Sequence, residues 1–333
     1  MRACDIYPLK LRPIYKETVW GGSWLTKNFG KQLPSSKIGE SWELVDRVDA
    51  ATIIENGYYA EKKLIDVLKK NKNEYLGENF EFDRFGRFPI MLKYIDAAEK
   101  LSVQVHPSER YTKLKKLEDS GKNEFWYILN ADRSAKIILG LQSKIDIAKF
   151  KEKIKKQNSE IEKELNYINI KTGDFFYIPA GLIHAILGGV RIAEIQQNSD
   201  LTFRIYDWQR CGLDGKPRKL HITEALETIN FKNQTIYKLP KNNSVADCID
   251  YQYKKLLNSR YFKIFEYRIF GKSHFNKRSE KFEIFMIFQG SASLIADDKL
   301  YNFNSGETWF LPAQLKTYKI ISHKELKFLK ITC

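Results

Sequence analysis

No run of the 333-residue chain approaches 18 consecutive apolar residues, so no membrane-spanning helix is expected. The opening MRACDIYPLKLRP has no apolar core of the signal-peptide kind, and the expectation is a cytoplasmic protein. Cysteine is scarce. Cys4, Cys211, Cys248 and Cys333 are scattered and make no CxxC pair, which excludes a zinc ribbon and reads as free thiols in a reducing compartment. Neither GxGxxG nor GxxxxGK(S/T) occurs, so the usual nucleotide-loop signals are missing. Acidic residues are in deficit, with 41 Asp and Glu against 56 Lys and Arg, a net charge of +15. The basic residues are nevertheless interleaved with acids, as in EKKLIDVLKKNKNEYL, and form no basic block with interspersed aromatics. That pattern describes a lysine-rich solvated surface rather than a nucleic-acid footprint, and it suits a small anionic substrate.

Aromatic residues are abundant, with 21 Phe, 18 Tyr and 6 Trp, and the chain is 43% hydrophobic. Aromatic and β-branched residues favour strands. Strand-like runs recur: FPIMLKYIDA, LSVQVHP, EFWYILN, AKIILGLQ, DFFYIPA, VRIAEIQQ and TFRIYDW, then YFKIFEYRIF, KFEIFMIFQG, SASLIADD and ETWFLPA. Helical spacing is confined to residues 60–76, the charged stretch 143–166 and the short ITEALETI. The expectation is an all-β, mainly antiparallel fold, a barrel or jelly roll with a few short helices. An internal repeat divides it. Gly173 and Pro179 in GDFFYIPAGLIH match Gly306 and Pro312 in GETWFLPAQLKT, and Glu124 in EFWYILN matches Glu283 in EIFMIFQ. Glu124 and Gly173 are 49 positions apart, Glu283 and Gly306 only 23, and the excess is close to the length of 143–166. Two barrel-like units are therefore expected, over 1–240 with a helical insertion at 143–166 and over 241–333. In the second unit Thr317 stands where the first has His184, so that unit is expected to hold no metal and to wall the cleft of the first.

Only five histidines occur, and one lies in LSVQVHP. On a strand Gln104 and His106 point to one face and Val103 and Val105 to the other. Taken alone, this is a satisfied polar pair on a half-buried strand. Gly173-x5-Pro179-x-Gly181-x2-His184, however, resembles the second motif of the cupin superfamily. The resemblance implies two cupin-like jelly-roll units, and a divalent cation held inside the first by two His and a carboxylate on neighbouring strands. The candidates are Gln104, His106, Glu124 and His184. Each alone has a structural alternative, a strand-end charge for Glu124 and a satisfied core histidine for His184. Together their nitrogen and oxygen donors suit Zn2+, with Fe2+ or Mn2+ as lesser alternatives.

QVHP, GKNE, IPAGLIHAI and EIQQNSDLTFRIYDW, with FPIMLKYIDAAEKLSVQVHP before them, resemble the type I mannose-6-phosphate isomerases, in particular their shorter bacterial form, from about residue 8 onward. The resemblance implies interconversion of mannose 6-phosphate and fructose 6-phosphate through an enediol, with one Zn2+ on Gln104, His106, Glu124 and His184. It further implies catalytic roles for Lys122, Arg204, Asp200 and Glu194, with Asp200 held by Arg204, and phosphate binding by Ser102 and Lys93. Trp20 resembles a family tryptophan that borders the active site, and equally reads as an aromatic plugging the barrel. The implied partner is a sugar phosphate, with no nucleic acid and no membrane, and a monomer or weak homodimer is expected. The alternatives are another metal-dependent cupin enzyme, such as an Fe2+ dioxygenase, and a non-catalytic sugar-sensing cupin.

Overall fold

The computed structural model describes residues 6–142, 145–157, 159–234, 245–276, 281–322 and 324–333. Antiparallel sheets dominate it, as expected, and they stack in four layers. A five-stranded sheet carries Phe203–Tyr206, Val103–Val105, His184–Ile186, Lys136–Leu141 and Leu165–Asn169. It faces a six-stranded sheet built from Phe175–Ile178, Glu124–Ala131, Val190–Gln197, Ile90–Ala97, Ile14–Gly22 and Ile38–Leu44. An eight-stranded sheet lies behind that one, and a four-stranded sheet closes the stack.

Period-two alternation explains the layering. In Ile90–Ala97 every residue is buried, because both faces are covered. Ile95 and Ala97 join the core between the first two sheets, with Trp126, Ile128 and Ile192. Leu92 and Tyr94 turn the other way, into a core shared with Ile284, Phe310 and Leu329 of the eight-stranded sheet. Tyr94 also donates from its hydroxyl to the Ile287 carbonyl at 3.0 Å. The third core fills the space between the last two sheets, around Phe285, Phe303, Tyr318 and Phe328.

The repeat is visible in the hydrogen bonding. Glu124 pairs with Ile178 and Glu283 with Leu311, in each case the residue before the motif proline. Gly173 N–H donates to Ile128 O at 2.8 Å and Gly306 N–H to Ile287 O at 2.7 Å. Both glycines have φ of 85°, a left-handed turn that favours glycine. The insertion becomes the helix Ile147–Lys156, capped by Asp146 Oδ1 on two backbone N–H groups, and a 3-10 turn, Ser159–Glu164. The stretch 60–76 is two short helices, Leu64–Lys70 and Lys72–Leu76, broken at Asn71.

The proposed unit boundary at 240/241 lies outside the described residues. The eight-stranded sheet crosses that division. Its edge is formed by Leu9–Arg12 and Ile53–Ile54 from the N-terminal part, with Leu9 opposite Phe310. Strand pairing this far apart in sequence leaves no local pattern.

Candidate metal centre and active site

The facing sheets of the first unit form a cup. On its six-stranded wall Glu124 and Trp126, two apart, point inward, and so do Lys93 and Glu194, which are direct cross-strand partners. On the five-stranded wall Gln104 lies opposite both His184 and Arg204. Val103 and Val105 go into the core behind, against Phe150 and Ile154 of the inserted helix. The cavity between the walls has a volume of about 560 Å³.

Three groups converge at the cup's floor, Glu124 in the cavity lining and His106 and His184 buried just behind it. His106 Nε2 is 3.1 Å from His184 Nε2 and 3.0 Å from Glu124 Oε1, and His184 Nε2 is 3.8 Å from Glu124 Oε2. The three ligand atoms lie within 4.8 Å of one another. His106 Nδ1 is 2.8 Å from Leu201 O, and His184 Nδ1 is 2.9 Å from Leu182 O. A carbonyl can only accept, so each Nδ1 carries the proton and each Nε2 offers a lone pair. Burial, reinforced by the Lys122 ammonium, pushes the His106 pKa down to about 3, and burial lowers that of His184. Burial also works against charge on Glu124, but the Lys122 ammonium, 2.9 Å from its Oε1, is the leading opposing charge and the carboxyl is held well below the ordinary range. Despite these close charges, Glu124 Oε1 accepts no well-aligned hydrogen bond. Two bare imidazole nitrogens and a carboxylate, with no hydrogen to share between the imidazoles, are a donor set that a divalent cation satisfies.

Gln104 fits as a fourth donor after one adjustment. Its Nε2 lies 3.3 Å from His184 Nε2, and its Oε1 accepts from Ser102 Oγ at 3.4 Å. Turning the amide over brings the oxygen to the ligand side.

Around this floor lies a ladder of buried charge. Trp126 Nε1–H donates to Glu124 Oε2 at 3.1 Å and to Glu194 Oε1 at 2.9 Å. Lys93 Nζ sits 3.0 Å from Glu40 and 3.7 Å from Glu194. Burial disfavours its charge, yet the carboxylates prevail and raise its pKa. Burial, with the Glu124 charge nearby, lifts Glu194 to about 7. Lys93 is thus neither solvent-facing nor a free cation. Its partner Glu40 is a site residue the sequence reading missed, though the alternation of Glu40 and Trp42 in IGESWEL carries the signal.

The mouth is cationic. Arg204 Nε–H donates to Ser102 Oγ at 3.3 Å and its Nη1 to Lys219 O at 2.8 Å. Arg218 and His221 also line the cavity, and neither was anticipated; the cationic run PRKLHI is the trace they leave in the sequence. Asp200 lines the same space, but it is exposed and Arg204 does not hold it, because the guanidinium is engaged by Ser102 and Lys219. Trp20 is both buried and in the cavity wall. Among the described residues the lining runs from Trp20 to His221, so the C-terminal unit does not wall this cleft, contrary to expectation. It buttresses the six-stranded sheet from behind. In that unit Glu283, the counterpart of Glu124, is taken up by Lys330 Nζ at 3.1 Å and by the Tyr318 hydroxyl at 2.8 Å.

Comparison with known proteins converges on one family. The family model described as phosphomannose isomerase type I, catalytic domain, matches residues 8–125, and the mannose-6-phosphate isomerase cupin domain matches 252–328. The chain is 35% identical to the probable mannose-6-phosphate isomerase GmuF of Bacillus subtilis, over 94% of this chain and 96% of that protein. It is 31% identical to the mannose-6-phosphate isomerase ManA of the same organism, over 96% and 97%. A crystal structure of the mannose 6-phosphate isomerase from Bacillus subtilis superposes with a TM-score of 0.88 at 31% identity, covering 98% of this chain and 99% of that one. A mutant phosphomannose isomerase from Salmonella typhimurium, 17% identical with a TM-score of 0.73, shares the fold. At this level of identity over nearly the whole length, the chain belongs to the type I mannose-6-phosphate isomerase family, with a cupin fold.

Proposed function

We propose that the protein interconverts mannose 6-phosphate and fructose 6-phosphate. The observation that carries this reading is the buried His106, Glu124 and His184 group at the floor of a cup whose mouth carries Arg204 and Arg218. His106, Glu124, His184 and Gln104 would hold one divalent cation, Zn2+ by donor type, with Fe2+ or Mn2+ as alternatives, and it would supply Lewis-acid polarisation of the sugar oxygens.

The chain's own groups provide the rest. The isomerisation moves the C2 proton to C1 and the O2 hydroxyl proton to O1, so the aldehyde becomes a primary alcohol and C2 becomes the carbonyl. A base must take the C2 proton and return it to C1. Glu194 suits that task because its carboxyl is poised near neutrality, and Asp200 is the second carboxylate in the cavity. Lys122 and Arg204 carry the positive charge that stabilises the enediolate oxygens. Ser102 is the better placed of the two phosphate candidates, since it bonds to Arg204, whereas Lys93 is engaged by Glu40 and Glu194 and steadies the floor.

We assign the two cupin-like units to about 1–240 and 241–333, with Leu9–Arg12 and Ile53–Ile54 of the first completing a sheet of the second, and the quaternary state to a monomer or weak homodimer, readable by sedimentation. No described helix is long and apolar enough to cross a membrane. The exposed free thiols of Cys211 and Cys248 fit a reducing cytoplasm. The test is a coupled assay of fructose 6-phosphate formation by metal-stripped protein, with and without added Zn2+. Activity restored by the metal supports the reading. Stoichiometric metal binding without isomerisation would move the protein to another metal-dependent cupin chemistry, and neither binding nor turnover would favour a non-catalytic sugar sensor.

A further inference from the structure

Two loop segments bring proposed catalytic groups to the cavity, and they come from distant parts of the sequence. One runs from Leu117 to Asn123 and carries Lys122; the other runs from Asn198 to Thr202 and carries Asp200. Their bases are joined by Asn123 and Gln197, whose side chains bond at 2.6 Å and whose backbones bond at 3.1 Å. Further along, one buried carboxylate spans both. Asp119 Oδ2 accepts from the Asp200 backbone N–H at 3.1 Å and from Arg47 Nη1 at 2.9 Å. Its Oδ1 accepts from Ser120 N–H at 3.0 Å and from Arg87 Nη2 at 3.0 Å.

We propose that Asp119 is a positioning residue, a clamp that locks the Lys122 segment and the Asp200 segment into one rigid rim of the active site. The inference rests on the isomerase reading for what the rim does, though not for the clamp itself. Asp119 is not part of the cavity lining, so it reaches substrate only through the segments it holds. Both of its oxygens are used twice, and the donors come from four places in the chain: Arg47 after the Ile38–Leu44 strand, Arg87 before Ile90–Ala97, and the two loops. Two guanidinium groups on one buried carboxylate make a charge-assisted set with defined geometry. The surrounding bonds hold the rest of the first segment. Lys122 N–H reaches Pro107 O at 2.9 Å, Gly121 N–H reaches Glu109 Oε2 at 2.8 Å, and Arg84 Nη2 caps Asp119 O at 2.7 Å. Its neighbours are held by other side chains, Ser199 O by Gln196 Nε2 at 2.7 Å and Leu201 O by His106 Nδ1 at 2.8 Å, but among the described residues Asp119 is the one side chain bonded to the Asp200 backbone itself.

The Asp119→Asn variant separates the clamp from other roles. An asparagine keeps one acceptor oxygen but puts an NH2 where the other stood, so that position loses both its donors, one arginine and one backbone N–H, and the link between the two segments is broken. Amide exchange by mass spectrometry is expected to rise in residues 117–123 and 198–202 together. The kcat for mannose 6-phosphate is expected to fall about 10- to 100-fold, the loss associated with ångström-scale misplacement of reacting groups. KM should stay within about threefold and bound metal at one per chain, because neither substrate contacts nor ligands are removed. A rise in only one segment, or in neither, overturns the clamp, and so does loosening of both with kcat unchanged. Wild-type protein without isomerase activity would refute the functional reading alone, since the exchange experiment still decides the clamp. Should the asparagine variant fail to fold, Arg47→Gln removes a single bond to Oδ2, and a smaller concerted rise in the same two segments is the expected result.

Discussion

Replacing Trp126 with phenylalanine removes one N–H that serves two buried carboxylates. The indole donates to Glu124 Oε2 at 3.1 Å and Glu194 Oε1 at 2.9 Å, and its ring stands edge-on to His184 at a centroid distance of 5.5 Å. A hydrogen bond to a charged group contributes about 1.5–3 kcal/mol. At about 1.4 kcal/mol per factor of ten, that corresponds to roughly 10- to 100-fold in an equilibrium constant, the range by which removal of a ligand's outer partner weakens metal affinity. The two estimates agree, so Trp126→Phe should bind Zn2+ about 10- to 100-fold more weakly in a chelator competition. The smaller ring also leaves a void, which lowers the stability of the metal-free protein separately. Measuring denaturation of the apo form alongside metal affinity divides the two effects. Zinc affinity within twofold of wild type, at any change in apo stability, would refute the argument that Trp126 orients the Glu124 ligand.

Other perturbations read other parts of the account. Arg204→Met removes the cation beside Ser102, and kcat/KM for mannose 6-phosphate should fall by about 100-fold or more in steady-state kinetics, the usual effect of losing a stabiliser of developing anionic charge. Lys330→Met leaves Glu283 buried with Tyr318 as its one side-chain donor among the described residues; chemical denaturation should show a loss toward the lower end of about 3–5 kcal/mol, with isomerase activity retained in the folded fraction. Gly39→Ala puts a Cβ 2.1 Å from Thr18 Oγ1 and 2.4 Å from the Trp20 ring; it should destabilise the protein by about 1–3 kcal/mol, push Trp20 into the cavity and raise KM, with a change in tryptophan fluorescence.

What the sequence disclosed is largely what local rules encode. Gln104 and His106 share a face because strand side chains alternate, and Val103 and Val105 confirm it by going to the core behind. The helical insertion at 143–166 announced itself by the unequal spacing of the repeat, and Asp146 caps it. The helix Glu109–Leu114 passed unnoticed, although Ser108 caps it through its hydroxyl on Tyr111 N–H just after the QVHP motif. Long-range pairing was not legible. Nothing near Leu9 marks its partnership with Phe310, and nothing near Asp119 marks its bond to Asp200. Lys93 shows the same limit on the scale of one side chain. Its strand placed it correctly on the cup wall, but the carboxylates that engage it arrive from two neighbouring strands. Arg204 was located correctly and its partner was not, because a flexible guanidinium selects among nearby acceptors that only the folded chain brings together.

The central claim is that His106, Glu124 and His184 hold one catalytic divalent cation. Metal content by mass spectrometry, measured on wild type and on a His106→Ala, His184→Ala double variant purified in parallel, tests it most directly. The account predicts about one ion per wild-type chain. It also predicts a folded double variant that retains none and does not isomerise mannose 6-phosphate at any added zinc concentration. A double variant that still binds one ion per chain, or that still turns over substrate, would contradict it.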